Sequence, residues 1–157
     1  MAAYGSATLY KAWADARGYT YGSDALINTA LLRASEYVDA KYGDAFEGLK
    51  AGGRDQERQW PRSGACDREG YGFTSTEVPQ ALLNAVYEAA KRELASTGSL
   101  APDVKAGGGV ATRVKAGSVE VEFANTGTTY PSFPAIDAAL SSLLIVRSPY
   151  SGRVVRG

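Results

Sequence analysis

The sequence predicts an α+β protein that is mostly α, with three main helices, a β-hairpin and an extended C-terminal arm. Apolar residues recur at helical spacing over residues 23–42, 76–96 and 134–146. They alternate with polar residues over 110–124, as in a two-stranded ribbon. Residues 147–157 contain three arginines, no acid, and a proline that discourages a helix, so they are predicted to extend from the core.

Composition bounds the kind of protein. The 157 residues suffice for one domain with a real core, which we place at residues 1–146, followed by the arm at 147–157. The chain has no run of 18 apolar residues and begins without a signal-peptide pattern, so we expect no membrane partner and production in the cytoplasm. A single cysteine, Cys66, cannot form an internal disulfide, and the sequence assigns it no role.

The charge is balanced overall but not along the chain. Residues 1–98 hold 11 basic and 13 acidic residues, a net charge of −2, whereas residues 99–157 hold 6 and 4, a net charge of +2. The final twelve residues alone carry +3. This pattern lacks the broad basic face typical of nucleic-acid binding, and a basic tip suits a local acidic target better.

The sequence offers no catalytic constellation, so we expect no enzyme, no cofactor and no metal. Histidine, the commonest general base and metal ligand, is absent. Tyr37 and Lys41 lie one helical turn apart, but no Gly-rich dinucleotide-binding turn precedes them. A set of acids near the end of the 23–42 helix lacks the spacing of a calcium loop and is expected to be solvated. These acids are Asp39, Asp44 and Glu47.

Candidate caps mark the ends of the predicted helices. Polar residues favour the N-cap position, and glycine favours the C-terminal stop. The candidates are Thr8 and Gly18 for a short helix at 8–17, Ser23 and Gly43 for the helix at 23–42, and Thr76 for the helix at 76–96, which carries Pro79 in its first turn.

The 76–96 helix has two apolar stripes and a narrow polar strip, so it must pack on two sides. Either it is a central core helix, or one side meets a neighbouring subunit. For the second alternative, the predicted ring interface consists of Leu83, Tyr87, Ala90 and Leu94, with Arg113, Lys115, Glu120 and Glu122 of the hairpin.

The hairpin register follows from charge and hydrophobic pairing. A turn at Gly117-Ser118 places both opposite-charge pairs across from each other and the apolar residues on one face. The predicted partners are Lys115 and Glu120, Val114 and Val121, Arg113 and Glu122, and Thr112 and Phe123.

The long, Gly-rich connection at 43–75 contains Trp60, Pro61 and Arg62. Because Pro61 restricts Trp60 to extended geometry, we expect the tryptophan to pin this loop to a core. Aromatic residues beside basic ones can instead stack on single-stranded bases, or they can fill cores and interfaces. The candidate stacking pairs are Tyr10 with Lys11, Tyr42 with Lys41, and Trp60 with Arg58 and Arg62.

The arm is either a frayed terminus or a docking segment. Adjacent valines are unusual in a solvated tail, and they can add as a strand to a partner's sheet edge while arginines pair with its acids. The predicted docking residues are Arg147, Tyr150, Arg153, Val154, Val155 and Arg156.

Several short segments resemble a phage protein family whose members are labelled DnaT-like single-stranded-DNA-binding proteins and are similar to head–tail connector proteins. They are the Tyr-rich N-terminal segment, the helix end Ala34–Tyr42, Phe46–Gly48, Gln59–Arg62 and Val78–Ala81. The resemblance covers most of residues 4–146. Trp60-Pro61-Arg62, followed by the Val-Pro start of the next helix, is its most distinctive part.

The resemblance implies a structural virion protein at the head–tail junction, assembled in the host cytoplasm. Its subunits would form a homo-oligomeric, dodecameric ring between the portal protein and a tail-side neck or tail terminator protein. Double-stranded DNA would pass through the channel with non-specific contact, and the C-terminal segment would reach the portal. The alternative function is a replication accessory protein that binds single-stranded DNA.

Overall fold

The computed structural model describes residues 2–100, 111–114, 121–123 and 133–144. Helices dominate these residues and antiparallel strand pairs accompany them, which confirms the prediction of a mostly helical α+β fold. None of the described helices is long and apolar enough to cross a membrane. The helices are α1 (Ala7–Asp15), α2 (Asp24–Tyr42), α3 (Gln80–Ala95) and α4 (Pro134–Leu140), and the strands are β1 (Leu49–Lys50), β2 (Arg62–Ser63), β3 (Ala111–Val114) and β4 (Val121–Phe123).

Helix α3 lies at the centre of the core, where it packs against α2 and α4. Rings of α1 contact it as well, since Tyr10 and Trp13 both lie against Tyr87. The helix therefore packs on more than one side within a single chain, which explains its narrow polar strip. Its fully buried residues include Leu82, Ala85, Val86, Ala89 and Ala90.

Two predicted N-caps are wrong. Ser6, not Thr8, caps α1, because its Oγ accepts a hydrogen bond from the Leu9 N–H at 3.3 Å. Helix α3 begins at Gln80 rather than after Thr76, with Pro79 at the N-cap. The residues before it form a separate turn, in which the Glu77 N–H donates to the Thr74 carbonyl. For α2, Ser23 does occupy the N-cap position.

Gly43 follows the end of α2 but does not adopt the left-handed geometry of a glycine stop, since its φ is −52°. The chain instead continues into a 3₁₀ turn at Gly43–Ala45. A Cβ at this position would lie 2.9 Å from Nε2 of Gln59, so the side chain of Gln59 would have to shift to admit it.

Helix α4 ends at Leu140, six residues before the predicted end. The chain then turns and pairs with the loop that follows α2. Leu144 forms an antiparallel bridge with Phe46, and the Ser142 carbonyl accepts from the Arg68 N–H at 2.8 Å. These partners supply hydrogen bonds to backbone groups after Leu140 that a further helical turn would otherwise have paired.

The hairpin is present, with a register that is partly as predicted. Val114 lies opposite Val121, which confirms that pair. Ala111, rather than Thr112, lies opposite Phe123, because a β-bulge adds one residue to β3. The predicted turn at Gly117-Ser118 and its neighbours Lys115 and Glu120 lie outside the described residues.

Candidate functional site

Trp60 lies at the centre of the loop between α2 and α3. Its side chain is 2% exposed, and its ring meets Phe46 and Phe73 edge-on at centroid distances of 5.8 and 5.4 Å. The peptide bond between Trp60 and Pro61 is cis. These aromatic contacts join the start, middle and end of the 43–75 loop, which carries little regular structure of its own. Trp60 and Phe46 belong to the same buried core as the helices.

Arg62 holds the same loop together through its guanidinium. The side chain is buried and donates to the carbonyls of Glu47 and Gly48 at 2.6 and 2.7 Å, and to Oε1 of Gln59 at 3.0 Å. Desolvation lowers the pKa of Arg62 from its ordinary value. The planar fork of donors matches several oxygens at once, which the single ammonium of a lysine cannot reproduce.

The N-terminal segment joins this loop to α2 through Tyr4. The Tyr4 hydroxyl donates to Oδ1 of Asp39 at 2.7 Å and accepts from the Trp60 N–H at 2.9 Å. The Tyr4 N–H donates to Oγ of Ser35 at 2.9 Å. Burial, followed by the charge of Asp39 and the hydrogen bond to it, raises the pKa of Tyr4. Three segments that are distant in the sequence therefore meet at one hydroxyl.

Arg58 completes this connection. Its Nε donates to the Ala2 carbonyl at 2.6 Å, and its Nη1 lies 3.5 Å from Oδ2 of Asp39. Desolvation is the largest influence on Asp39 and raises its pKa, although the Tyr4 and Arg58 contacts oppose it. Asp39 is therefore half-buried in a network rather than part of a solvated patch. Among the described residues, no group of three or more candidate ligands could hold a metal ion.

The aromatic rings considered for base stacking are all buried. Tyr10 packs against Trp13, and Tyr42 donates its hydroxyl to Asp137. Trp60 is enclosed as described above. Burial raises the pKa of Tyr10 to about 12. None of the three rings presents a free face to a nucleic-acid base.

The second stripe of α3, considered for ring contacts, lies largely inside the subunit. Tyr87 is 2% exposed, with its ring centroid 5.8 Å from that of Tyr10, and Ala90 has no exposed surface. Leu83 and Leu94 are partly buried against the same core. Tyr87 and Ala90 therefore belong to the core of one chain, which favours the core-helix alternative for this stripe, whereas Leu83 and Leu94 keep part of their surface.

Other predicted site residues have little or no structural description. Arg113 lies in β3 and Glu122 in β4, and their side chains are not described. The docking residues of the arm lie outside the described residues. They are Arg147, Tyr150, Arg153, Val154, Val155 and Arg156.

A groove between the start of α2 and the end of α3 was missed by the sequence reasoning. It measures about 480 Å³, and its walls include Tyr19, Tyr21, Leu26 and Leu94. Nζ of Lys91 lies 4.1 Å above the ring of Tyr19. The available signal was Tyr19-Thr20-Tyr21, a short aromatic segment between two glycines, but its spatial neighbours come from helices distant in the sequence. We call this feature the aromatic groove.

The fold and these sites define a small, mainly helical protein whose buried polar residues hold the N-terminal segment, the long loop and the helices together. The sequence matches one family model over residues 1–157, described as "Putative DnaT-like ssDNA binding protein", and the chain belongs to this family. No curated protein and no solved structure matches the chain.

Proposed function

We propose that this protein is a structural subunit that assembles into a homo-oligomeric ring at the junction of a phage head and tail. The observation that carries the proposal is the role of Trp60, Pro61 and Arg62, the motif most distinctive of the connector resemblance. Trp60 and Arg62 tie distant parts of the long loop together through ring contacts and carbonyl hydrogen bonds, and Trp60 lies in the same buried core as the helices. A fixed, irregular loop on a rigid body suits a protein that contacts other subunits.

Charge also favours this proposal over tight binding to DNA. The whole chain has a formal net charge of zero, and strong sequence-independent affinity for DNA comes from neutralising phosphates with Lys and Arg. A ring that encloses passing DNA requires only weak contact with it. The positive charge of the arm would suit an acidic surface of the portal protein.

The solution mass of the full chain tests the proposal, measured by light scattering with and without portal protein. We expect a multimer of the chain, either alone or assembled on portal, with a ring visible by electron microscopy. A chain shortened after Val146 should lose affinity for portal. A full chain that stays monomeric and ignores portal would contradict the connector function.

The second candidate is binding of single-stranded DNA, and the family description names this function whereas it names no connector. The aromatic groove gives the candidate a surface, because Tyr19 and Tyr21 are partly exposed beside Lys11 and Lys91. Base stacking on such rings is tolerant of sequence. A fluorescence titration with an oligothymidylate should then show binding that weakens with salt, and no binding at low salt would exclude this candidate.

A further inference from the structure

A pocket distinct from the aromatic groove lies between the second half of α2 and the turn that follows α3. It measures about 410 Å³, within the range of about 300–1,000 Å³ that sites for small ligands usually have. We call this feature the Glu93 pocket. Its walls combine apolar and charged side chains, and they include Tyr37, Ala40, Leu100, Arg33, Glu36 and Glu93.

Glu93 is a carboxylate in a place that the fold itself does not favour. Its side chain is only 3% exposed, although glutamates are seldom buried unless they are fully paired. It also lies in the last turn of α3, where the negative end of the helix dipole disfavours an acid. A buried charge at this position therefore calls for a positively charged partner.

Only one of the two carboxylate oxygens of Glu93 is paired. Its Oε1 accepts from Nη1 of Arg33 and from the Gly98 N–H, each at 2.8 Å. Its Oε2 is shielded from solvent and has no hydrogen-bond partner among the residues that the structure describes. A buried ionised oxygen without a donor is costly, so the carboxylate has an unused capacity for one more hydrogen bond.

The charges of the pocket select a cation as the group that supplies this donor. Among the described lining residues, one cation, Arg33, faces two carboxylates, Glu36 and Glu93. The end of α3 adds the negative end of its dipole to the same side. The neighbouring Arg92 lies against the ring of Phe133 instead, with its Cζ 4.8 Å from the ring centroid.

The apolar walls favour a guanidinium over an ammonium group. A guanidinium is more weakly hydrated, so it enters an apolar pocket at a lower cost, and its planar fork of donors can serve carboxylate oxygens on two sides. Glu36 provides the second carboxylate, since its side chain is 47% exposed and lies 4.0 Å from its nearest basic neighbour, Arg58.

We propose that the Glu93 pocket binds a guanidinium group carried on an apolar stem, as in an arginine side chain. The guanidinium donates to Oε2 of Glu93 once the Arg33 side chain, which is 47% exposed, shifts aside. The apolar stem then lies against Ala40 and Leu100. This inference goes beyond the proposed function and does not depend on a ring.

Calorimetric titration of the full chain with N-acetyl-arginine methylamide tests the site. The matched ligand is N-acetyl-citrulline methylamide, which has nearly the same shape but no charge. We expect saturable binding of the arginine probe and binding at least about tenfold weaker for the citrulline probe, because the donors to a carboxylate are charged in only one of them. Butylguanidinium separates the sources: if it binds as tightly as the arginine probe, a free organic cation suffices, and if it binds more weakly, the site reads an arginine residue.

Two variants test the pocket from within the chain. Glu93→Gln removes the charge but keeps an oxygen that can accept from the Gly98 N–H, and it should weaken binding of the arginine probe by at least about tenfold. Glu88→Gln is the matched control, because Glu88 lies on the same helix, pairs with Lys91 at 2.9 Å and does not line the pocket. It should bind the probe like the unaltered chain.

Ala40→Phe covers the case in which Glu93→Gln destabilises the fold. Ala40 is exposed on the pocket wall, so the larger ring should fill the pocket and block the probe while circular dichroism shows normal melting. The inference is overturned if the folded, unaltered chain does not bind the arginine probe, or if the citrulline probe binds equally well. Unchanged binding by Ala40→Phe would also overturn it, because the probe would then bind elsewhere. Failure of the chain to form a ring leaves these results unaffected.

Discussion

At the level of single residues, the Tyr4 hydroxyl links the N-terminal segment, α2 and the long loop. Tyr4→Phe keeps the ring but removes the donor to Asp39 and the acceptor of the Trp60 N–H. Because that N–H would be left buried without its partner, we expect the free energy of unfolding to fall by about 1–3 kcal/mol. Urea denaturation measures this change.

Tyr71→Phe serves as the control for the Tyr4 substitution, because Tyr71 is an exposed tyrosine of the 43–75 loop, to which Tyr4 is hydrogen-bonded. Substitutions at such surface positions change stability by less than about 0.5 kcal/mol. Equal effects of the two substitutions would mean that the buried hydroxyl does not hold the segments together.

Tyr4 also predicts how stability depends on alkaline pH. Burial and Asp39 raise its folded-state pKa above 10.0, its ordinary value. Below pH 10.0 the folded and unfolded chains are both protonated at Tyr4, so its full contribution to stability is present. As the pH rises through 10.0 towards the folded pKa, the unfolded chain releases the proton first, and the free energy of unfolding falls.

The measurement is a series of urea denaturations between pH 8 and about pH 11. Tyr4→Phe should lose less stability over this interval than the unaltered chain, so the difference between them should narrow as the pH rises. Since burial also raises the pKa of Tyr10 and Tyr87, the variant should retain part of the alkaline loss. A difference that is constant with pH would contradict the role of Tyr4.

At the level of elements, α1 shows how a helix start is chosen between two neighbouring candidates. Ser6→Ala removes the side-chain oxygen that accepts from the Leu9 N–H, so we expect a loss of about 1 kcal/mol of stability. Thr8→Ala is the matched control within the helix. It should be neutral or slightly stabilising, because alanine has the higher helix propensity. If Thr8→Ala destabilised the protein more than Ser6→Ala in thermal or urea unfolding, Thr8 rather than Ser6 would be the N-cap.

The same elements show what the sequence could predict. Apolar residues at helical spacing located α2 and α3, and cross-strand pairing of apolar and charged residues located the Val114–Val121 pair. These features could be predicted because they depend on residues that are near in the sequence. The end of α4 depends instead on a bridge between Leu144 and Phe46, far apart in the chain. The roles of Tyr4 and Arg58 were missed for the same reason, since their partners come from other segments.

At the level of the whole molecule, each buried contact of α3 reduces the surface that it can offer to a neighbour. An oligomer must then use side chains that the fold leaves exposed, and Leu26 and Leu49 are such side chains. The sequence alone could not tell whether an apolar stripe of α3 belongs to the core or to a subunit interface, because stripes of the two kinds have the same composition. Burial in the folded chain makes the distinction.

Ala90→Asp tests whether the second stripe of α3 belongs to the core of one chain. The substitution places a carboxylate at a position with no exposed surface, so it should cost about 3 kcal/mol or more and lower the melting temperature sharply. Gln80→Asp is the control, because Gln80 is exposed in the first turn of α3, where an acid suits the helix dipole. Circular dichroism should show normal melting for Gln80→Asp and a destabilised Ala90→Asp at every protein concentration. An Ala90→Asp chain that melts normally but no longer self-associates would instead return this stripe to the subunit interface.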